Sequence, residues 1–162
     1  MAEILIVYYS LEGTVDFAAR SLAKELDADL CRLETVKEYP KKGLLKFLHG
    51  GKDTVMGFKP ELKTQLPDLS AYSKIVVGAP VWAGKPAAPI TTFMEEADFQ
   101  GKDVYLLASS AGGNADKTLS IMTEAVSKRG GSVKGTEQLT NPARNIEQSL
   151  EKIKGLAQTI RG

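Results

Sequence analysis

The sequence predicts an α/β fold: a three-layer, doubly wound, five-stranded parallel sheet in the order 2-1-3-4-5, forming one domain over residues 1–162. Three observations predict it. Short apolar runs rich in β-branched residues lack the alternation of half-exposed strands, which is typical of parallel strands buried on both faces. These runs alternate with segments of helical periodicity. Right-handed crossovers then leave few topologies for five strands.

Four of these apolar runs are predicted as strands. They are Ile4 to Tyr9, Lys74 to Pro80, Asp103 to Ser110 and the weaker Asp29 to Thr35. A fifth run, Gly131 to Leu139, alternates between apolar and polar residues. Alternation indicates a strand with one exposed face, so this run is predicted at an edge of the sheet.

Helices are predicted between the strands. Apolar residues from Thr14 to Leu26 and from Asp116 to Lys128 recur with the helical period, and another helix begins after Pro86 and ends within Thr92 to Ala97. The last helix begins after Asn145, a predicted N-cap with Gln148 three residues on. Its predicted buried stripe is Ile146, Leu150, Ile153, Ala157 and Ile160.

The segment from Val36 to Ser73 fits this pattern poorly. It predicts one short helix around Leu44 to Leu48, ended by Gly50-Gly51, and otherwise a loop. Long loops in compact domains are usually functional or mobile. The basic part, Lys37 to Lys52, is either a solvated face or a docking patch for an acidic partner or an anionic substrate.

Composition narrows the function classes. The net charge of +1 gives no global field for nucleic acid. No apolar run approaches the roughly 20 residues that span a bilayer, and the start lacks a basic region, so we expect a cytoplasmic protein without a membrane segment. Cys31 is the only cysteine of the sequence, which excludes an internal disulfide and a CxxC pair. We expect its side chain to act as a small hydrophobic group.

Ligands of open parallel sheets bind at the carboxyl ends of the strands. After the first strand, Ser10 to Thr14 form a tight turn into a helix, where free N–H groups and the helix dipole favour an anion. The alternative interpretation of these residues is an ordinary strand–helix turn with Thr14 as N-cap. The motifs GxGxxG and GxxxxGK[ST] are absent, so ATP or NAD binding through them is not expected.

Two further loops lie at the same edge. "PVWAGKPAAP" presents Trp82 on a turn restricted by prolines, which suits a planar aromatic ligand, although tryptophan also serves in packing and at interfaces. "ASSAGGNAD" has little side-chain bulk from Ser109 to Gly113, which leaves room for a ring or a sugar. The alternative interpretation of this loop is a flexible connection between a strand and a helix.

These loops resemble those of the flavodoxin-like FMN proteins. "YYSLEGT" is similar to a first loop of the form YxSxTGNT, "GAPVWAGKPAAP" to the Trp-Ala-Gly-Pro second loop, and "SSAGGN" to the third. The resemblance covers nearly the whole chain, and "YPKKGLLKFLHGGKDTVMGFKPEL" is similar to an insertion of one subgroup between the second and third strands.

The resemblance implies a flavodoxin-like fold with FMN as cofactor. It implies electron transfer to a redox partner protein, as in flavodoxins, or reduction of small molecules such as quinones, as in NAD(P)H-dependent FMN oxidoreductases. No catalytic acid–base residue and no metal is implied, because the flavin carries the chemistry. A monomer or a homodimer is expected.

The resemblance also assigns residues to the cofactor. The first loop would surround the phosphate, the second would flank the isoalloxazine with Trp82 as the stacking residue, and the third would contact the pyrimidine end or the ribityl chain. The first loop is Ser10, Leu11, Glu12, Gly13, Thr14 and Val15; the second is Pro80, Val81, Trp82, Ala83 and Gly84; the third is Ser109, Ser110, Ala111, Gly112 and Gly113.

The first loop departs from the family pattern. Glu12 replaces a threonine, Thr14 an asparagine and Val15 a second threonine, so two hydroxyl donors are lost and a carboxylate is gained. Like charges about 4 Å apart cost about 1 kcal/mol in water and about 4 kcal/mol at an effective dielectric of 20. We therefore expect weak FMN binding. Flavodoxins that transfer electrons are typically acidic, so a net charge of +1 favours small-molecule reduction.

Two other functions compete with the redox hypothesis. A non-enzymatic binding module of the same fold, with a weakened or lost FMN site, is favoured by Glu12 and Val15. A hydrolase with His49 as general base is the third, because a histidine titrates near neutral pH. No serine or carboxylate partner for His49 is identifiable in the sequence.

Overall fold

The computed structural model describes residues 3–37, 39 and 59–162, which form a sheet between two layers of helices. The strands are β1 (Ile4–Tyr8), β2 (Asp29–Arg32), β3 (Lys74–Trp82), β4 (Lys85–Pro86), β5 (Asp103–Ser110) and β6 (Ser132–Thr140). The helices are α1 (Thr14–Leu26), α2 (Ala88–Glu96), α3 (Asp116–Lys128) and α4 (Ile146–Arg161), with a 3₁₀ turn at Leu69–Ala71. None of these helices has the length and apolar character needed to cross a bilayer.

The five long strands are parallel and follow the order β2-β1-β3-β5-β6, which confirms the predicted topology once the two-residue β4 is set aside. Leu5 of β1 pairs with Ile75 of β3, and Ile75 pairs with Val104 of β5. The alternating strand β6 lies at an edge, as its pattern predicts. This register brings the carboxyl ends of the central strands to one side of the molecule.

Two buried clusters hold the layers together. Successive strand residues point to opposite faces, so Leu5 and Val77 pack with residues of α2 and α3. Ile6 and Val76 pack with residues of α1 and α4 on the other face. Each of these four strand side chains is at most 2% exposed. The central strands are therefore buried on both faces, which explains their continuous apolar sequence.

The hairpin after β3 differs from the prediction. The strand does not end at Pro80 but continues to Trp82, and β4 then pairs with it antiparallel. The turn residues Ala83 and Gly84 have φ angles of 51° and 78°. Positive φ at both central residues is the signature of a type I′ turn, which suits a two-residue hairpin.

The start of the last helix also differs from the prediction. Ile146 is 51% exposed and does not belong to the buried stripe. Asn145 occupies the N-cap position, but its side chain does not cap the helix. Its Nδ2 donates instead to the carbonyls of Thr140 and Asn141. The stripe that packs on the sheet is Ser149, Ile153, Leu156, Ala157 and Ile160.

The strand β2 is shorter than predicted because the chain leaves the sheet after Arg32. Thr35 forms an antiparallel bridge with Leu62 instead of continuing β2. Cys31 lies on β2, half-buried, and burial raises the pKa of its thiol, in keeping with a small hydrophobe. The predicted helix at Leu44 to Leu48, His49, and the basic segment beyond Lys37 lie outside the described residues.

Alanine substitutions at two glycines should change the stability of the fold in opposite directions. A Cβ at Gly131 would lie 2.6 Å from Val126 Cγ1 and 2.8 Å from Phe99 Cβ, so Gly131→Ala overpacks the core and should destabilise the fold by about 1–3 kcal/mol. Gly155 lies on the exposed side of α4 with nothing within 4 Å. Gly155→Ala should stabilise by about 0.5–1 kcal/mol. Urea unfolding measures both changes; a destabilised Gly155→Ala or a neutral Gly131→Ala would contradict this packing.

Candidate functional site

A cavity of about 490 Å³ opens at the carboxyl ends of β1, β3, β5 and β6. It brings the three predicted loops together. The predicted residues that line it are Leu11, Glu12, Thr14, Val15, Pro80, Val81, Trp82, Ala83, Ser109, Ser110 and Ala111. Ser10, Gly13, Gly84, Gly112 and Gly113 belong to the same loops but are not among the lining residues.

The first loop turns directly into α1. Gly13 has a φ angle of 101° and is the N-cap, so the alternative with Thr14 as N-cap is wrong. The N–H of Gly13 donates to Oγ of the buried Ser10 at 3.0 Å. The first N–H groups of α1 have no partner within the helix, and the dipole places positive potential there. This wall of the cavity can hold an anion.

Below the first loop, Asp16 accepts two hydrogen bonds and forms an additional ion pair with Arg32. Tyr8 donates to its Oδ1 at 2.5 Å, Arg20 Nε donates to its Oδ2 at 3.0 Å, and Arg32 Nη1 lies 3.4 Å from Oδ1. Burial and this hydrogen bond raise the pKa of Tyr8 to about 12. Burial acts to raise the pKa of Asp16, but the hydrogen bonds and both arginines outweigh it and lower that pKa. The cluster ties β1, α1 and β2 together.

Glu12 contributes a negative charge to the cavity wall. Its residue is exposed, and among the described residues that line the cavity it is the only charged one. No lysine or arginine is in that lining set. Among the described residues, backbone N–H groups, hydroxyls and the α1 dipole are the features of this wall that can hold an anion.

Trp82 forms the aromatic wall. It is half-buried, packs against the core cluster of one sheet face and also lines the cavity. Tyr9 and Tyr39 contact it at ring-centroid distances of 5.7 and 5.0 Å, with interplanar angles of 89° and 68°. Such edge-to-face pairs are a favoured aromatic geometry. The two alternatives for Trp82, core packing and a flat ligand surface, are thus both compatible with its position.

A fourth loop, which sequence reasoning missed, closes the cavity beside β5. Asn141, Pro142 and Ala143 line it directly after β6. The N–H of Asn141 donates to the carbonyl of Ser110 at 2.8 Å, and its φ angle is 43°. In the third loop, Ser110 Oγ donates to the Gly113 carbonyl at 2.8 Å. The predicted position of β6 beside the preceding strand was the signal that could have found the fourth loop.

A second cavity, of about 510 Å³, lies away from these loops. It is lined by residues 59–62, 64 and 66 and by Thr92, Glu95 and Glu96 of α2. The described residues of its lining include no aromatic side chain, and the charged ones are Lys59 and three glutamates, Glu61, Glu95 and Glu96. The cavity at the carboxyl edge therefore suits a flat anionic ligand better.

Comparison with known proteins shows the family and the fold. The family model described as flavodoxin matches residues 3–141. A flavoprotein from Lactobacillus acidophilus NCFM, solved in complex with FMN, is 25% identical with a TM-score of 0.72, over 92% of this chain and 99% of that one. No curated protein matches the chain.

Two other solved structures share the fold. A Bacteroides uniformis ATCC 8492 protein assigned as a flavoprotein is 24% identical with a TM-score of 0.76, over 94% of this chain and 98% of that one. Oxidised flavodoxin 2 from Bacillus cereus is 20% identical with a TM-score of 0.64, over 98% and 97% of the two chains.

The lowered pKa of Asp16 predicts a pH-dependent stability. A carboxylate with a depressed folded pKa stabilises the fold above its unfolded pKa of about 3.9, and this contribution is lost as pH falls through the folded pKa. Asp16→Asn should cost about 1–2 kcal/mol at pH 7 and progressively less below pH of about 4. Urea unfolding at several pH values measures this.

The matched control is Glu147→Gln, which removes an exposed carboxylate from the first turn of α4. It should change stability by less than about 0.5 kcal/mol. An Asp16→Asn cost that stays constant from pH 7 to pH 3 would contradict the role assigned to the carboxylate charge.

Proposed function

The chain belongs to the flavodoxin family, and from that membership and the cavity at the carboxyl edge we propose that it is an FMN-dependent redox protein. The observation that carries the proposal is one cavity that joins an aromatic wall, Trp82, to the amino terminus of α1. FMN combines a flat ring with a phosphate, and it supplies hydride and single-electron transfer when bound.

The residues of the cavity fit FMN. Its volume of about 490 Å³ lies within the range of about 300–1,000 Å³ that small-molecule and cofactor sites span. Trp82 would stack on the isoalloxazine, and the type I′ turn at Ala83 and Gly84 would present peptide groups to its edge. The N–H groups of the first loop and the Thr14 hydroxyl would hold the phosphate. Ser109, Ala111 and Asn141 would border the ribityl chain or the pyrimidine end.

We infer small-molecule reduction, with quinones as the acceptor class, rather than transfer to a basic protein partner. Acidic surfaces steer electron-transfer proteins to basic partners, and a net charge of +1 provides little such steering. Reduction by NAD(P)H or by a cytoplasmic redox protein would both be compatible with the cavity, and a monomer or a homodimer would serve.

One observation favours a second candidate, a binding module of the same fold with a weakened FMN site. Glu12 is the only charged side chain among the described lining residues, and its sign opposes that of the phosphate. This candidate differs from the first in one outcome, namely that the purified protein holds no flavin.

A visible absorption spectrum decides between the two. After incubation with excess FMN and desalting, the protein should keep a flavin spectrum and then lose it on extended dialysis, because Glu12 weakens the phosphate site. NAD(P)H and a soluble quinone added to the loaded protein should then give quinone-dependent NAD(P)H oxidation. A protein that stays colourless after loading would exclude the redox function and favour the binding module.

Two substitutions should distinguish the contacts with the flavin ring from those with the phosphate. Trp82→Ala removes the stacking wall and should weaken FMN and riboflavin alike, each by about tenfold or more. Glu12→Gln removes a like charge near the phosphate and should tighten FMN by about three- to tenfold, with riboflavin unchanged because it has no phosphate. Quenching of flavin fluorescence measures all four affinities. An equal effect of Glu12→Gln on both ligands would contradict its assigned position.

A further inference from the structure

Arg32 connects β2 to the first loop. Its Nη2 donates to the Ser10 carbonyl at 2.9 Å, and its Nη1 lies 3.4 Å from Oδ1 of Asp16. The planar guanidinium can hold both partners in fixed directions. Arg32 is not among the residues that line the cavity, so it contacts the loop from outside the cavity.

This contact fixes the direction of a neighbouring N–H group. The Ser10 carbonyl and the Leu11 N–H belong to one peptide group, and the described part of the chain has no cis peptide bonds. In a trans peptide the two bonds point in opposite directions. With the carbonyl on Arg32, the Leu11 N–H points away from the guanidinium. Leu11 lines the cavity, and its N–H donates to no other group among the described residues.

The net charge of the cluster formed by Asp16, Arg20 and Arg32 also favours an anion at the first loop. Asp16 is shared by Arg20 and Arg32, so one carboxylate faces two guanidinium groups and the cluster keeps an excess positive charge. Arg32 brings part of this charge to the backbone of the first loop. The excess acts on the same loop that carries Glu12, the one negatively charged side chain among the described lining residues.

We propose that Arg32 is the positioning residue of the phosphate subsite. It turns the Leu11 N–H toward the phosphate of FMN and adds positive charge behind the first loop, where none of the described lining residues is a lysine or an arginine. The inference rests on the proposed function, since it concerns the same cofactor. The inference adds Arg32 of β2, which lies 22 positions after Ser10 in the sequence, to the residues that serve the cofactor.

Arg32→Met and its matched control Arg20→Met test the proposal. Both remove one guanidinium from Asp16, but only Arg32 contacts the loop backbone. Arg32→Met should weaken FMN about tenfold, the loss of one charge-assisted hydrogen bond, and riboflavin by less than about twofold. Arg20→Met should change both by less than about twofold. Equal losses in the two variants, or equal losses of FMN and riboflavin in Arg32→Met, would overturn the proposal.

A second measurement does not depend on flavin. Inorganic phosphate is titrated into the ¹⁵N-labelled protein, and the Leu11 amide resonance is followed by NMR. The resonance should shift in the wild type and in Arg20→Met, and much less in Arg32→Met. If the wild type binds no flavin, the proposed function fails but this titration still decides the role of Arg32. A Leu11 response that is the same in all three proteins overturns it; circular dichroism confirms that each variant is folded.

Discussion

Parallel pairing of central strands that are buried on both faces is the constraint on which the rest of this structure depends. Ile75 is paired on one side with β1 and on the other with β5, and it is fully buried. Such a sheet needs a helical layer on each face, and right-handed crossovers supply it. The same pairing brings the carboxyl ends of β1, β3, β5 and β6 together, so the cavity is a consequence of the sheet.

The two ends of that cavity depend on different physics. The wall formed by Trp82 is supported by ring contacts with Tyr9 and Tyr39. The wall formed by the first loop depends on the direction of backbone N–H groups. Among the described residues, the charged groups at this wall include Glu12 on the cavity side and Arg32 and Asp16 outside the cavity. Ring recognition and anion recognition can therefore change independently in this fold.

The sequence was sufficient for features that depend on local pattern. Hydrophobic periodicity predicted the long strands and the helices, and the handedness of the crossovers predicted the strand order. The three predicted loops share one cavity. The sequence was insufficient for features that depend on contacts between distant parts of the chain or on an unusual backbone conformation. Ala83 has no sequence signal for a positive φ angle, so the hairpin was missed. The fourth loop at Asn141 depends on the β5–β6 register, and the Arg32–Ser10 contact joins separate strands.

Trp82 has a spectroscopic consequence. It is the only tryptophan of the chain, it lines the cavity, and two tyrosine rings lie within 6 Å of it. All indole emission of the protein therefore originates at one wall of the site, and light absorbed by Tyr9 and Tyr39 passes to that indole by energy transfer. The protein therefore carries a built-in optical probe, because direct quenching of the indole reports a ligand beside this wall.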